Sequence, residues 1–308
     1  MTVYRVRHST LYEYPEAVVS SHDEAHLLPR SLERQRVSEV ELRIEPTPDT
    51  VTWHRDYFGN EVVFFALQTP HERLEIRTQS RVELRPPPVF DPESTRAWED
   101  VVRIAREDRS EEALEAFEFA FDSPFVKTSA ELADFGRRSF PPGRRLGDGL
   151  LELCGRVHRE FRYDPEATTL DTPVAEVLRK RHGVCQDFAH VAIGALRSLG
   201  IPARYVSGYL RTRPQEAPPG SARPAPETDD PAGKELVGSE ASHAWLSAWD
   251  PDLGWLDIDP TNDLVPGDRH VILAWGRDYD DVSPVKGVTL GGGGHTVEVA
   301  VEVRPDLS

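Results

Sequence analysis

Cysteine, methionine and positive charge are scarce in this chain. The 308 residues include only two cysteines, Cys154 and Cys185, and a single methionine. Two cysteines cannot build a disulfide framework, and the lack of a CxxC pair or a Cys/His cluster argues against structural zinc. Lysine and arginine number 36 against 53 aspartates and glutamates, which gives a net charge of −17. Nucleic acid and anionic membranes are therefore not expected as partners, since both require a basic protein face.

Long apolar runs are also missing from the sequence. No stretch of about 18 or more apolar residues occurs, so no transmembrane helix is expected. The opening segment, MTVYRVRHSTLYEYP, lacks the apolar stretch and small-residue cleavage site of a secretory signal, and it predicts a strand instead. Two free thiols are typical of a reducing compartment, and we therefore expect a cytoplasmic protein.

The N-terminal part of the chain alternates apolar and polar residues. Val40, Leu42 and Ile44 share one face of a predicted strand, and the segment RLEIRTQSRVEL repeats the same period. Alternation of this kind predicts half-buried antiparallel strands. The prolines at 86–88 end the pattern, because proline cannot donate to a strand ladder. We expect an antiparallel β-sandwich or small barrel over residues 1–88.

Helical periodicity replaces this alternation after the prolines. Residues 91–122 carry 11 acids and 4 arginines among apolar residues, which predicts one or two amphipathic helices with a solvated face. Further helices are predicted near residues 129–140, 145–161, 173–181 and 185–199. A period of two returns from Ala203 in RYVSGYLRT, SHAWLSAWD, GWLDID and HTVEVAVEVRP. We therefore expect a helical linker region over 89–145 and an α+β core over 146–308.

The segment 211–238 is rich in proline, glycine, alanine and charge. It has few apolar residues to bury, so a mobile loop is predicted between two strands. Such a loop is either a lid over a nearby site or plain disorder, and the sequence leaves that choice open.

Cys185 directly follows Gly183 and Val184 and precedes an apolar stripe with helical spacing. The stripe consists of Phe188, Val191, Ala192, Ala195, Leu196 and Leu199. This pattern predicts the thiol at the first turn of a buried helix, where unpaired N–H groups favour a thiolate and can hold an oxyanion. A cysteine before a helix can equally be a small buried hydrophobe, so this feature alone does not identify a nucleophile.

Two later predicted strands supply an imidazole and two carboxylates. ASHAWLSAWD carries His243, and GWLDIDPTND carries Asp257 and Asp259 after a short loop. Antiparallel pairing of these strands brings a carboxylate beside the imidazole. Cysteine, histidine and aspartate then have the residue types of a thiol triad, in which the acid orients the base. Alternation puts both aspartates on one side of the strand, so the pattern does not choose between them.

These segments resemble a known family. GVCQDFAH, SHAW and GWLDIDPTN, together with PARYVSGY, resemble the transglutaminase-like core of the papain-like superfold. The chain is similar to bacterial transglutaminase-like proteins described as candidate cysteine proteases, and YRVRHSTLYEYPEAV, LLPR and DYFGN resemble their β-rich N-terminal domain. The likeness spans nearly the whole chain. It implies an α+β fold in which a helix carrying the cysteine packs on an antiparallel sheet carrying the histidine and aspartate.

The resemblance also implies roles for three residues. Cys185 is the expected nucleophile, His243 the general base and acid, and Asp259 the orienting acid, because the family's acid directly precedes Pro-Thr. The implied activity is acyl transfer at a peptide, isopeptide or glutamine carboxamide through a thioester, with a peptide or protein as substrate. Hydrolysis is expected first, and protein-glutamine cross-linking is the alternative. A non-catalytic binding protein on the same fold is a further alternative.

No cofactor or metal is expected. A metal hydrolase with Cys185, His243 and Asp259 as ligands is a weaker interpretation, because a cysteine at a helix start after Gly-Val fits a nucleophile better. The Cys185 amide is the expected first oxyanion donor, and Tyr163 or Gln186 is suggested for the second.

Four other candidates have simpler structural interpretations. Asp187 is expected to complement the helix dipole at the start of the Cys185 helix. Cys154 lies in the apolar helical pattern LLELCGRV and is expected to be inert core. His182 and His190, which flank Cys185 in the sequence, are expected to be surface or helix-packing residues.

Overall fold

A computed structural model describes residues 1–85, 91–212, 236–238 and 242–306 of the chain. Most of the predicted loop at 211–238 lies outside these described residues, at 213–235. The first strands are β1 (Thr2–Ala25), β2 (Gln35–Glu45), β3 (Thr50–Arg55), β4 (Glu61–Leu67) and β5 (His71–Leu84). Two strands near the end of the chain are β12 (Val285–Gly291) and β13 (Thr296–Pro305).

β1 is long enough to serve both halves of the N-terminal sheet. Residues 4–13 pair with β5 and β13, whereas residues 21–25 pair with β4 and β12. The register shifts between Glu13 and Val18, so the strand changes direction there. The halves curl toward each other over one apolar cluster. Its buried members include Ile44, Phe65, Leu67, Leu74 and Ile76. The predicted sandwich or barrel is thus one curled antiparallel sheet, with seven strands in the described part of the chain.

Strand pairing crosses the predicted domain boundaries. β12 and β13 fall in the predicted core of 146–308, yet they pair with β1 in the N-terminal sheet. Alternation in HTVEVAVEVRP predicts a strand but says nothing of its partner, because pairing is decided by tertiary packing. Helical residues of the predicted linker 89–145 also enter the central apolar core, among them Val101, Ala113 and Leu132. That segment is therefore part of the packed core as well as a connection.

The predicted helices are confirmed. Two lie within residues 91–122: α1 (Trp98–Glu107) and α2 (Glu111–Glu118). The others are α3 (Ala130–Arg137), α4 (Leu146–Glu160), α5 (Val174–Lys180) and α6 (Cys185–Ser198). Ser110 and Ser129 cap α2 and α3, since each side chain accepts a hydrogen bond from a first-turn N–H. Among the described helices, none is both long and apolar enough to cross a membrane.

The second sheet packs against α6 in the central core. Its strands are β8 (Ala203–Leu210), β9 (His243–Asp250), β10 (Gly254–Ile258) and β11 (His270–Gly276), in the order β10-β9-β8-β11. A pair of short parallel strands, β6 (Arg162–Tyr163) and β7 (His182–Gly183), leads into α6. Tyr205 and Leu246 pack in the same core as α6, whereas their neighbours Val206 and Trp245 lie in a separate cluster. Both faces of this sheet are therefore buried, and the predicted α+β class is confirmed.

The start of β2 and the segment before it join the N-terminal sheet to the core. Gln35, which is 1% exposed, donates from Nε2 to the carbonyls of Arg30 and Ile272, each at 2.7 Å. Its Oε1 accepts the Ile272 N–H at 2.9 Å. β11 is an edge strand with a bulge at this point, between Ile272 and Ala274. Gln35 thus satisfies the backbone of an edge that otherwise exposes unpaired groups.

Replacing Gln35 with alanine is expected to lower the free energy of unfolding by about 2–3 kcal/mol, because the Ile272 N–H and the Arg30 carbonyl lose their Gln35 partner and the Ile272 carbonyl loses one of its two donors. Urea denaturation at 25 °C measures this change. Gln68→Ala is the matched control, since Gln68 is an exposed glutamine. Equal stability of the two variants would contradict a bridging role for Gln35.

Candidate active site

The thiol of Cys185 lies at the first residue of α6 and is half-buried. Val184 precedes it in an extended conformation, and its N–H donates to Asp187 Oδ2 at 2.8 Å. Asp187 also accepts from Thr168 Oγ1 at 2.7 Å. A Cβ on Gly183 would come within 2.5 Å of the Asp187 carboxylate, so only glycine leaves room for this cap. Asp187 therefore fixes the start of the helix, and the thiol belongs to its first turn, where amides have no carbonyl partner within a helix.

Cys185 and His243 line one cavity of about 240 Å³. Tyr163, Tyr205 and Tyr279 form part of its wall. Burial, followed by the nearby Cys185 charge, raises the pKa of Tyr163 to about 12, and burial raises the pKa of the other two phenols. All three therefore remain neutral hydroxyls at neutral pH. No aspartate, glutamate, lysine or arginine among the described residues lines this cavity, so away from Cys185 and His243 its walls suit an uncharged group.

His243 and Asp259 form a buried pair. Nε2 of His243 lies 2.8 Å from Asp259 Oδ2, and the two residues are 1% and 0% exposed. Burial alone lowers the pKa of His243, but the charge and hydrogen bond of Asp259, with a smaller effect of the Cys185 thiol, raise it to about 10. Burial alone raises the pKa of Asp259. The charge and hydrogen bond of His243 lower it by more, so the pKa of Asp259 lies below its ordinary value. The pair is therefore an imidazolium and a carboxylate at neutral pH.

The other ring nitrogen of His243, Nδ1, is buried. Nδ1 has no nitrogen or oxygen partner among the described residues, while the Cys185 thiol interacts with the ring and raises its pKa. Gly238, with φ of +92°, lies so close that an added Cβ would be 2.7 Å from Nδ1. One ring nitrogen of His243 therefore hydrogen-bonds the Asp259 carboxylate, and the other is available to the Cys185 sulfur or to a substrate.

Asp259 receives more donors than the sequence predicts. Its Oδ1 accepts the N–H groups of Thr261 and Asn262 at 3.0 and 3.2 Å. Its Oδ2 accepts Asn262 Nδ2 at 2.8 Å and lies 3.3 Å from His270 Nε2. The sequence could have predicted the Asn262 contact, because an Asp followed closely by Asn after a strand is typical of a side-chain-capped turn. No local sequence pattern predicts the His270 contact, because His270 lies eleven positions after Asp259.

Asp257, the alternative acid, is bonded elsewhere. It lies opposite Ser247 in the β9–β10 ladder and accepts that hydroxyl. Its Oδ2 accepts Arg34 Nη2 at 2.9 Å. Both aspartates point to one face, but Asp257 lies farther from the His243 end of β9. The choice that alternation leaves open is made by strand register, which brings Asp259 to His243.

Two segments of the chain match known family patterns. Residues 4–83 match the bacterial transglutaminase-like N-terminal region, and residues 142–260 match the transglutaminase-like superfamily. An uncharacterised protein of Mycobacterium tuberculosis is 37% identical over 310 residues, which cover 98% of this chain and 92% of that protein. The chain belongs to the bacterial transglutaminase-like family.

Two further relatives of this transglutaminase-like protein differ in how much of the chain they match. A solved structure of a candidate cysteine protease from Cytophaga hutchinsonii superposes with a TM-score of 0.76, covering 99% of this chain and 90% of that one, at 20% identity. This likeness concerns the fold, with the N-terminal sheet and the core together. A protein-glutamine gamma-glutamyltransferase of Pseudomonas aeruginosa is 31% identical over 140 residues, or 41% of this chain and 19% of that protein.

Of the remaining candidates in this transglutaminase-like chain, Gln186 lines the cavity, whereas Cys154, His182 and His190 do not. Cys154 is 1% exposed, and burial raises the pKa of its thiol. His190 is buried, stacks on Phe125 and accepts the Tyr279 N–H at 3.2 Å, and burial lowers its pKa to about 3. His182 is exposed. Within the described ranges, no group of three or more His, Cys, Asp or Glu side chains is arranged to hold a metal ion.

Proposed function

We propose that this protein is a thiol acyl-transfer enzyme with Cys185 as nucleophile, His243 as general base and acid, and Asp259 as orienting acid. The observation that carries the proposal is the buried His243–Asp259 pair beside a thiol at a helix start in one cavity. A carboxylate fixes the tautomer and orientation of the imidazole and stabilises its protonated form. The first-turn amides next to the thiol suit the developing oxyanion.

The first half-reaction forms a thioester. The sulfur of Cys185 attacks the carbonyl carbon of a carboxamide, and the carbonyl oxygen takes the negative charge beside the Cys185 N–H. As the tetrahedral intermediate collapses, the C–N bond breaks and the His243 imidazolium gives its proton to the departing nitrogen. The acyl group then remains on sulfur, and ammonia or an amine leaves.

The second half-reaction releases the acyl group. In hydrolysis, neutral His243 takes a proton from water as its oxygen attacks the thioester carbon, and the C–S bond breaks to give a carboxylic acid and Cys185. The cavity wall contains no aspartate, glutamate, lysine or arginine among the described residues, which supports a neutral carboxamide, from a glutamine side chain or a peptide bond, as the acyl donor. We propose hydrolysis as the activity, in line with the candidate protease of similar fold. The partial likeness to a protein-glutamine gamma-glutamyltransferase favours amine transfer as the second candidate.

Trapping the thioester tests this proposal. The wild-type protein is mixed with a library of peptides and glutamine donors, quenched in acid and weighed intact. We expect an adduct equal to the donor mass less ammonia or the leaving peptide, and release of the free acid on standing. Added primary amine at about millimolar concentration is expected to leave the acid as the main product. A dominant amine conjugate would favour the transferase, and the absence of any adduct over the whole library would favour a binding protein.

A further inference from the structure

Given the proposed function, we infer that His270 is a positioning residue that holds the Asp259 carboxylate on His243. Its Nε2 lies 3.3 Å from Asp259 Oδ2, the same oxygen that lies 2.8 Å from His243 Nε2. His270 is 4% exposed, so solvent does not compete for this contact. Two imidazoles therefore share one carboxylate oxygen, and the reaction described above uses only one of them.

Packing fixes the orientation of the second ring. The Trp245 indole meets His270 edge-on, with centroids 5.3 Å apart and planes at 86°, and it lies 6.1 Å from the His243 ring. Trp245 is fully buried. One indole thus packs against both imidazoles, which keeps them in a defined relation to the carboxylate.

Charge explains why His270 serves as a donor and not as a second cation. Burial lowers the pKa of His270 in spite of the Asp259 charge, and the His243 imidazolium lowers it further, although Asp257 has the opposite effect. A neutral ring with its proton on Nε2 donates one hydrogen bond to Asp259. Its Nδ1 then needs no proton, which agrees with the lack of a partner for that atom among the described residues.

Three side-chain donors together determine where Oδ2 points. His243, His270 and Asn262 meet this oxygen, while backbone amides hold Oδ1. Loss of His270 removes one of the three side-chain contacts of Oδ2 and leaves this oxygen to His243 and to Asn262, which lies 2.8 Å away and also donates to the Val237 carbonyl. His270 therefore acts through Asp259 on the alignment of His243 with the thiol.

The N-terminal sheet contributes to this positioning. His270 is the first residue of β11, and its N–H bonds the Gly267 carbonyl at 3.2 Å. Two residues along the strand, Ile272 is held by Gln35 on both its N–H and its carbonyl. Gln35 thus holds β11 close to His270 from the N-terminal sheet.

Comparison of His270→Leu with His270→Gln tests the inference. Leucine keeps volume without a donor, whereas the Gln Nε2 can replace the imidazole N–H. We expect the leucine variant to lower kcat and the rate of iodoacetamide reaction at Cys185 by about tenfold with KM unchanged, and the glutamine variant to stay within about threefold of wild type. In proton NMR, the low-field resonance of the His243–Asp259 hydrogen bond should move upfield in the leucine variant only.

Two controls make the result decisive. His8→Leu removes another buried histidine, which lies in β1 and bonds Thr10 of the same strand and Tyr209 of β8, and it should leave the Cys185 reaction rate unchanged. If His270→Leu does not fold, His270→Met gives the same comparison. Equal rates for all His270 variants, or an equal loss for glutamine and leucine, would overturn the inference. Alkylation and NMR do not require turnover, so lack of activity in the wild type would refute the proposed function without deciding the role of His270.

Discussion

Replacing Cys185 with alanine is expected to abolish the acyl-enzyme adduct and to lower turnover by about a millionfold, since loss of the nucleophile leaves only substrate binding and oxyanion contacts. The side chain is half-buried at the first turn of α6, where alanine is well tolerated. The free energy of unfolding should therefore change by less than about 0.5 kcal/mol. Intact mass spectrometry after reaction with the best donor, together with a thermal melt, measures both effects.

Cys154 provides the matched control for this experiment. It is the other free cysteine, it is buried in α4, and its thiol has a raised pKa. Cys154→Ala should keep full activity and a single iodoacetamide adduct at Cys185 near pH 6.5. Slow and equal labelling of both cysteines in the wild type, appearing only at alkaline pH, would show that Cys185 is an ordinary thiol.

Replacing Asp259 with asparagine is expected to lower kcat by about a thousandfold to ten-thousandfold, as loss of the orienting acid does in serine triads. The amide keeps the shape of the side chain but removes the charge that holds the His243 proton. Asp257→Asn is the matched control, because it lies two residues away on the same side and bonds Arg34 and Ser247 instead. It should retain activity within about threefold. Equal losses in the two variants would contradict the assignment of Asp259 as the orienting acid.

Asp259→Asn is also expected to shift the pH dependence of kcat/KM and of Cys185 alkylation in a defined direction. In the wild type, Asp259 and its hydrogen bond hold the pKa of His243 at about 10, so the imidazolium persists through neutral pH. Its contribution to stability is complete below the ordinary histidine value of about 6.5 and is lost as the pH rises through about 10. In Asp259→Asn, burial remains and lowers the pKa of His243. The alkaline limb of kcat/KM should then move to lower pH, and alkylation of Cys185 near pH 6 should slow.

The acid of the proposed triad also contributes to acid stability. The pKa of Asp259 lies below its ordinary value, so its stabilising effect is complete above about pH 4 and is lost as the pH falls further. Wild type and Asp259→Asn should therefore approach each other in stability at strongly acidic pH. Urea denaturation at a series of pH values follows this convergence.

Local sequence determined much of this molecule. The apolar stripe after Cys185 predicts α6 and its start, because a helix must bury one face at 3.6-residue spacing. Alternation predicts β8, β9 and β10, and the segments around Cys185, His243 and Asp259 identify the family. These features depend on periodicity and on short motifs, which a single sequence carries in full.

Only the tertiary structure decided which elements meet. Strand register separates Asp259 from Asp257 by placing Asp257 opposite Ser247, although both share one face. Packing places His270 beside Asp259, which lies eleven positions earlier in the sequence. Packing also pairs the last strand of the chain with the first. Partners across a sheet are chosen by the burial of whole faces and by the satisfaction of buried polar groups, which no local pattern encodes. The sequence thus predicted which residues would carry the proposed chemistry, and the tertiary structure decided how they are held.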